Sequence, residues 1–480
     1  MTNSTLVQCR LALLLQYYLP FIFNDNPKKI ESFISFLFNG LHCEKTNKAF
    51  ALQCAIALTK LLKYKALFNS SMVISFIKSV ISSLDSIEAF KVVNVVIEKY
   101  GEIIDREVVV KIVKRVEDEV KLDKKITMVV IQCLHLLKQI CDLHIEDIDI
   151  AVLPLFDYIK TPKKIEFEDE ILTIMQVLIE EKKVSDVYFP YVVNLYNTHR
   201  TLSSVQTNVI IYYIIFKKPM ITEDLLMKLI NISFESISKE NPKNGSAIIQ
   251  CLLQTYTNIN LPPIIENSLK LLKTKLISNI IYEHIIQILM STICNNPSLA
   301  SSTLMSLDKL EDIINVIIRE LKGNNNYMKL LCLGMTTLLR LNPCPICIRK
   351  KFSNSMEELV VALDSIMSAE RSRMKKNKRV VYGDESDTED SEVEGDVMEY
   401  KLPVRDIDEF QYFRNAIKEL IVREKDFVKS VVDNMEKKNQ LKFQRILNGK
   451  RVKIYKNEEC ISEVRRIVKA KRIIVRQSNG

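Results

Sequence analysis

The sequence predicts an all-α protein whose short helices stack in pairs to form an alpha-alpha superhelix. Three observations predict this fold. Glycine occurs only 9 times in 480 residues, which leaves few sites for hairpin turns or for backbone packed closely against a ligand. Apolar residues recur at helical spacing, and breaks that contain Asn, Pro or Gly separate the apolar segments. Hydrophobic residues make up 47% of the chain, so we expect most of it to fold.

Residues 48–63 illustrate the helical spacing. Their apolar side chains lie three or four positions apart, so they share one face of a helix. This face consists of Ala51, Ala55, Leu58 and Leu62, with Leu61 beside them. The segment is therefore predicted to be a helix packed on one side.

Two later segments differ in how much of their surface is apolar. Residues 105–122 carry one apolar stripe flanked by charged residues, which predicts an amphipathic outer helix. Residues 127–143 are apolar nearly all round, which predicts an inner helix that is buried on both sides and contains His135 as a core histidine. An outer helix followed by a more buried inner helix is the unit of a helical solenoid.

Short breaks separate the candidate helices. They lie at residues 24–27, 160–164, 217–219, 239–245, 260–263, 295–297, 323–326 and 342–343. Pro prevents a helix from continuing, and Asn favours turns. A unit of about 40 residues fits the HEAT class of helical repeats. We therefore expect a HEAT-repeat solenoid over residues 5–370.

The composition changes after residue 370. Residues 371–405 are first basic and then acidic, and we expect them to form a disordered loop because such residues cannot build a core. Residues 406–436 are expected to form C-terminal helices that close the array. One apolar helix face in this segment is formed by Phe410, Phe413, Ile417 and Leu420.

The acidic part of the loop is the main candidate binding site of the sequence. Its carboxylates are Asp384, Glu385, Asp387, Glu389, Asp390, Glu392, Glu394 and Asp396. They are interpreted as an acidic patch that binds basic partners. The alternatives are a solvated linker and pairing with the adjacent basic run. Ser386 and Ser391 each precede a Glu by three residues, so both are candidate phosphorylation sites that would add negative charge.

The positive charge of the chain is concentrated in a basic tail at residues 437–480. This tail holds 14 basic and 3 acidic residues, which gives it a net charge of +11. The net charge of the whole chain is +9, so the other residues together carry −2. Its candidate RNA-binding residues are Lys450, Arg451, Lys453, Arg465, Arg466, Lys469, Lys471 and Arg472. The near-neutral body does not favour a nucleic-acid-binding core. We do not predict whether the tail folds.

The residues that would support catalysis or cofactor binding are not arranged in a known pattern. The two closest glycines, Gly323 and Gly334, are too far apart for a phosphate-binding loop. None of the five histidines forms an HExxH pair, and Cys344 and Cys347 have no second cysteine pair at zinc-binding spacing. We therefore expect no enzyme activity, no cofactor and no metal site, and we interpret the two cysteines as an inter-helix turn.

The cysteines and the early apolar run bear on the cellular compartment. Most cysteines lie within apolar runs, as Cys54, Cys133, Cys251 and Cys332 do, which is typical of buried thiols in a reducing compartment. Residues 11–23 form an apolar run that is shorter than the ~20 residues of a membrane span and contains Pro20. Arg10 precedes the run as in a signal peptide, but no small-residue cleavage site follows. We expect a soluble intracellular protein without membrane contact.

Six segments, in order along the chain, resemble the C-terminal half of importin-β-type nuclear transport receptors (karyopherins), most closely the importin seven/eight branch. They are LVQCRLALLLQYY (6–18), CAIALTKLL (54–62), FEDEILTIMQVL (167–178), NNPSLASSTL (295–304), YMKLLCLGMTTLL (327–339) and DEFQYFRNAI (408–417). Each motif alone is weak, and their shared order carries the resemblance. The basic tail is stronger than in the family.

The resemblance implies a receptor that binds basic cargo, such as ribosomal proteins or histones, for nuclear import. It also implies contacts with the FG repeats of nucleoporins and shuttling between cytoplasm and nucleus, with transient contact at the nuclear envelope. The family's Ran-binding repeats precede the region that is similar. Ran is therefore expected as a partner only if an N-terminal half is supplied separately. The alternative hypothesis is a HEAT-repeat scaffold in ribosome assembly that contacts RNA through the basic tail.

Overall fold

We describe the protein from a computed structural model. It describes residues 4–19, 21, 27–41, 47–64, 71, 73–74, 77–78, 81, 87–121, 128–143, 147–161, 166–219, 221–239, 241–257, 259–274, 278–323, 325–380 and 407–448. Twenty longer α-helices and no strand occur in these ranges. The prediction of an all-α fold is therefore confirmed.

The chain divides into two compact units, Met1–Leu289 and Met290–Gly480. The helices of the first unit are α1 (Thr5–Tyr18), α2 (Pro27–Leu41), α3 (Lys48–Leu61), α4 (Ile87–Tyr100), α5 (Arg106–Lys121), α6 (Met128–Cys141), α7 (Ile148–Phe156), α8 (Glu168–Glu180), α9 (Phe189–His199), α10 (Ser204–Tyr212), α11 (Glu223–Lys239), α12 (Pro242–Thr255) and α13 (Pro262–Leu272). Helix α14 (Asn279–Asn295) contains the boundary between the units.

The helices of the first unit pack in two layers. In one layer, each helix contacts the next in the order α1, α3, α4, α6, α8, α10 and α12. In the other layer, α5 contacts α7, α9 contacts α11, and α11 contacts α13. Neighbours across the layers, such as α5 with α6 and α11 with α12, form helix hairpins. Stacked hairpins of this kind are the repeat arrangement that the sequence predicts.

The predicted outer and inner helices are α5 and α6. Val108, Ile112 and Val116 of α5 are buried, so its apolar stripe faces the core. Helix α6 buries seven of its residues, although Met128 at its start is 55% exposed. The prediction of a buried His135 is wrong, because this side chain lies on the exposed strip of α6. The inner helix has one exposed polar strip. Its few polar residues are separated by apolar residues in the sequence, so the helix was predicted to be buried on all sides.

Prolines begin several helices at the breaks that the sequence indicates. Pro242, Pro262 and Pro297 each occupy one of the first two positions of α12, α13 and α15 (Pro297–Ser306). A proline fits this position because the first backbone N–H groups of a helix have no partner within the helix. These breaks therefore set where the hairpins turn.

The second unit contains five further helices. They are α16 (Leu310–Leu321), α17 (Met328–Leu339), α18 (Ile346–Val380), α19 (Glu409–Asp433) and α20 (Lys437–Asn448). Helix α18 is central to the packing, since it contacts α16, α17, α19 and α20. The predicted apolar face of α19 is confirmed, because Phe410, Phe413, Ile417 and Leu420 are all buried.

Two boundaries differ from those expected. Helix α18 continues to Val380, beyond the expected start of a loop at residue 371. Lys and Arg are good helix formers, and the run contains neither Gly nor Pro, so its charge does not end the helix. Residues 437–448, expected to belong to a basic tail, form α20, in which Phe443 and Ile446 are buried against the unit. Phe443 packs edge-on against Phe413 of α19, with 6.2 Å between the ring centroids.

Cys54, Cys133, Cys251 and Cys332 are buried, as predicted. Cys344 and Cys347 lie at the turn into α18 and are both half-buried. None of the described helices is both long and apolar enough to cross a bilayer.

A candidate cation-binding cleft

The site residues predicted from the sequence lie outside the described residues. This holds for the acidic patch at 384–396, for the candidate phosphorylation sites Ser386 and Ser391, and for the basic residues of the tail at 450–472. These assignments stay predictions. The described part of the chain contains a different acidic site, in the first unit.

This site is a cleft of about 420 Å³ between α8, α9 and α10. It forms where the start of α8 meets the turn that joins α9 to α10. Three of its lining residues are acidic, and the other five are polar. The lining residues are Glu166, Glu168, Asp169, Thr198, His199, Thr201, Ser203 and Gln206.

Local sequence sets the turn between α9 and α10. Helix α9 ends because Arg200 adopts a left-handed conformation with φ of 58°. Ser203 then begins α10 as its N-cap, and its Oγ accepts a hydrogen bond from the backbone N–H of Gln206 at 3.0 Å. Leu202 is buried, and its carbonyl oxygen accepts a hydrogen bond of 3.0 Å from Nδ2 of Asn244 on α12. The turn is therefore fixed from both sides.

The central contact of the cleft joins His199 to Glu168. Nε2 of His199 lies 2.9 Å from both carboxylate oxygens of Glu168. Glu168 is 7% exposed, so this carboxylate is largely removed from water. It lies in the first turn of α8, and His199 is the last residue of α9. An anion at a helix N-terminus and a cation at a C-terminus are both favoured by the helix dipoles.

Two further groups complete the floor and rim of the cleft. The Ser203 hydroxyl donates a hydrogen bond to Oδ1 of Asp169 at 3.2 Å, which holds that carboxylate at the rim. Gln206 is 1% exposed, and its Nε2 donates to the carbonyl oxygen of Val192 at 2.8 Å. The carboxylates of Glu166 and Asp169 remain exposed to solvent.

A second cleft, of about 150 Å³, continues the acidic edge towards α6. It shares Asp169 with the first cleft and adds Glu170 and Thr173 of α8, facing Leu134, His135 and Lys138 of α6. The two clefts together place four carboxylates along residues 166–170. Three of them lie in the first turn of α8, where the helix dipole favours negative charge.

This arrangement is suited to binding cations. The Ser203 hydroxyl is bonded to Asp169 and not to His199, so these residues do not form a nucleophile with its base. Within the described residues, no group of three or more His, Cys, Asp and Glu side chains is arranged to hold a metal ion. Acidic side chains at the rim above a buried carboxylate attract positively charged side chains of a partner.

This cleft is not predicted from the sequence. The acidic residues of FEDEILT (167–173) lie at the start of a helix, where acidic residues are usual. They therefore do not indicate a binding site by themselves. The available signal was a run of carboxylates followed about 30 residues later by a histidine and a serine-rich turn. These segments come together because α8 packs against α10. The spacing of the residues along the chain does not predict this packing.

The second unit has a larger groove, of about 740 Å³, between α18 and the turn from α16 to α17. Its charged residues are paired with each other. Lys322 lies 3.2 Å from Glu358, and Lys329 lies 3.3 Å from Glu409. The groove therefore has no excess of one sign of charge, and the cleft of the first unit is the stronger candidate.

No protein-family model matches this chain, and no curated protein matches it. Among solved structures, it is similar to a crystal structure of a mutant of Kap121p, with 11% sequence identity and a TM-score of 0.44. The similar region covers 90% of this chain and 45% of the Kap121p chain, so this chain spans less than half of that length.

Proposed function

We propose that this chain is an importin-like nuclear transport receptor, or the C-terminal part of one, that binds basic cargo proteins. The acidic edge at residues 166–170 carries the proposal. It presents the exposed carboxylates of Glu166 and Asp169 and the half-buried Glu170 on the layer formed by α6, α8 and α10, beside two clefts that can admit side chains. Ribosomal proteins and histones are the proposed cargo because they are rich in Lys and Arg.

The stacked hairpins suit this function. Each hairpin contacts mainly its neighbours, so a helical array can adjust its curvature at low cost and fit partners of different shape. An exposed ion pair contributes only about 0–1 kcal/mol. Several pairs along one edge are therefore needed for useful affinity, and the clustering of acidic residues at 166–170 provides them.

The other partners in this proposal follow from the resemblance in sequence. Nucleoporin FG repeats would bind elsewhere on the helices, and Ran would take part only with a separately supplied N-terminal half. Such a receptor would shuttle between cytoplasm and nucleus. The acidic patch at 384–396 would add a second contact for basic cargo.

Charge removal at the acidic edge tests the proposal. The triple variant Glu166→Gln/Asp169→Asn/Glu170→Gln keeps the buried Glu168 and removes three exposed or half-exposed charges. We expect its affinity for a histone tail peptide to fall about tenfold at low salt, since electrostatic complementarity governs such binding. The loss should shrink as the salt concentration rises, because salt screens exposed charges. Fluorescence anisotropy measures both.

The matched control is Glu98→Gln/Asp118→Asn/Glu223→Gln, which removes the same number of charges at exposed positions outside the cleft. It should retain the affinity of the unmodified chain. Equal losses in both triple variants would mean that only net charge matters. Unchanged binding in the cleft variant would remove this edge from the proposed function.

A further inference from the structure

Helix α1 is apolar on two opposite sides. It packs against α3, and Ala12, Leu15 and Leu19 are buried on one side of the helix. The opposite side carries four apolar residues that share one helix face and are 43–60% exposed, namely Leu6, Leu13, Leu14 and Tyr17. We call these four residues the outer face of α1. A helix that is apolar all round is normally buried all round, so the outer face is suited to pack against a further element.

The apolar surface continues from α1 onto α3. Nζ of Lys60 on α3 lies 5.3 Å from the ring centroid of Tyr17, so this side of α3 adjoins the outer face. Leu52 and Ile56 lie two turns and one turn before Lys60, on the same side, and each is 41% exposed. The six apolar side chains together expose about 500 Å², which is as large as the largest apolar patches of monomeric proteins, and such patches are often functional.

The charge on this surface has one sign. Arg10 is exposed and lies within the outer face, between Leu6 and Leu13 along the helix. Lys60 is exposed at the edge. Neither α1 nor α3 contains an acidic residue, so no carboxylate of these two helices balances the positive charge. A ligand that covers this surface therefore has to bring both apolar and acidic groups.

The position of the outer face in the layer indicates the shape of the ligand. The contact of α1 with α3 is repeated between α3 and α4, between α4 and α6, and between α6 and α8. The outer face lies opposite the buried side of α1, so a helix placed on it would continue the series of helix contacts in this layer. The surface therefore fits another helix.

We propose that the outer face of α1 and the adjoining strip of α3 bind an amphipathic helix of an acidic partner protein. The apolar stripe of that helix covers Leu14, Tyr17 and their neighbours, and one of its carboxylates pairs with Arg10. A second copy of this chain would instead bring Arg10 and Lys60 against the same positive charges. This inference goes beyond the proposed function, because it concerns other helices than the acidic edge and a partner of opposite charge.

The experiment uses two designed helical peptides of about 20 residues, long enough to form a helix in isolation. Both carry the same leucine stripe, flanked by Glu in one peptide and by Lys in the other. Fluorescence anisotropy measures their binding to the full chain, and circular dichroism measures the gain in helix on binding. We expect the Glu peptide to bind about tenfold more tightly at low salt, because only its charge complements Arg10 and Lys60.

The triple variant Leu6→Gln/Leu14→Gln/Tyr17→Gln changes only exposed side chains and should lower the affinity for the Glu peptide about tenfold or more. Its matched control is Met128→Gln/Val187→Gln/Ile280→Gln, which alters three exposed apolar residues elsewhere in the first unit and should leave the affinity unchanged. Circular dichroism of the free chains shows whether each variant is folded.

A charge reversal tests the acidic character of the partner. Arg10→Glu should weaken binding of the Glu peptide and strengthen binding of the Lys peptide. Lys114→Glu makes the same change of charge at an exposed position of α5 and should alter neither affinity.

Four results would overturn the inference. They are no binding of the Glu peptide, equal binding of the two peptides, retention of binding in the triple variant of the outer face, and an unchanged preference in Arg10→Glu. Dimerisation of the unmodified chain that the triple variant abolishes, seen by sedimentation velocity, would assign the surface to a second copy instead. Flotation with anionic lipid vesicles that depends on the same three residues would assign it to a membrane, and this too would overturn the inference.

Discussion

Gly245 lies at the closest approach of α12 to α11. A Cβ atom at this position would overlap the carbonyl oxygen of Ser233 and would lie 2.9 Å from Cγ1 of Ile237. The backbone oxygen cannot move without shifting α11, so the two helices would have to separate. We expect Gly245→Ala to lower the free energy of unfolding of the first unit by about 1–3 kcal/mol, the usual cost of overpacking. Thermal unfolding followed by circular dichroism measures this.

Gly334 provides the matched control. A Cβ atom there would lie 2.8 Å from Sδ of Met290, which belongs to a flexible side chain that can change rotamer. Gly334→Ala should therefore cost much less than Gly245→Ala, and helix propensity offsets part of the cost. Equal losses for the two variants would show that the approach of α12 to α11 is not fixed by the glycine.

Asp408 begins α19 and shows how single residues define an element. Its Oδ1 accepts a hydrogen bond from the backbone N–H of Gln411 at 2.9 Å, as an N-cap does. We expect Asp408→Ala to destabilise the first turn of α19 by about 1 kcal/mol, while Asp408→Ser should retain most of the cap. Hydrogen exchange of the amides at 411–413 reports the change. Unaltered exchange in Asp408→Ala would mean that packing of Phe410 and Phe413 alone holds the helix start.

At the scale of elements, the sequence predicted which segments are helical better than where the helices end. The face formed by Phe410, Phe413, Ile417 and Leu420 follows from a spacing of three and four, and burial then requires a helix. The end of α18 was predicted too early because a run of Lys and Arg was interpreted as loop. Charge determines exposure, whereas Gly, Pro and caps determine helix ends.

The cleft could not be predicted in the same way. Glu168 and His199 are separated by about one hairpin along the chain, and they meet where α8 packs against α10, the helix that follows His199. The sequence supplied the residue types, but a carboxylate and a histidine 31 positions apart have no characteristic spacing. Helical periodicity identifies which residues face the core and does not identify the polar residues that meet between helices.

At the level of the whole molecule, a test of RNA binding by the basic tail must keep α20, because this helix is packed in the second unit. A truncation after Met435 would remove Phe443 and Ile446 from the core and would expose α18. A truncation after Asn448 removes the basic residues at 450–472 and keeps α20 in place. Under the alternative hypothesis of an RNA-binding scaffold, we expect the shorter deletion to abolish RNA binding without lowering the melting temperature. The deletion after Met435 should lower the melting temperature.

An electrophoretic mobility assay at several salt concentrations measures the RNA contact. Loss of several basic residues should reduce both the affinity and its dependence on salt, because fewer counterions are released on binding. RNA binding that survives the deletion after Asn448 unchanged would contradict the alternative of a tail-dependent scaffold.

In the proposed function, the layer of α6, α8 and α10 binds basic ligands through the acidic edge at residues 166–170. Hydrogen exchange with mass spectrometry, in the presence and absence of a saturating histone tail peptide, maps where the basic ligand binds. We expect slower exchange in the peptides that cover residues 166–173 and 198–209, with little change in α16 to α20. Protection that spares these two segments and appears only at other positions, including residues 384–396, would contradict it.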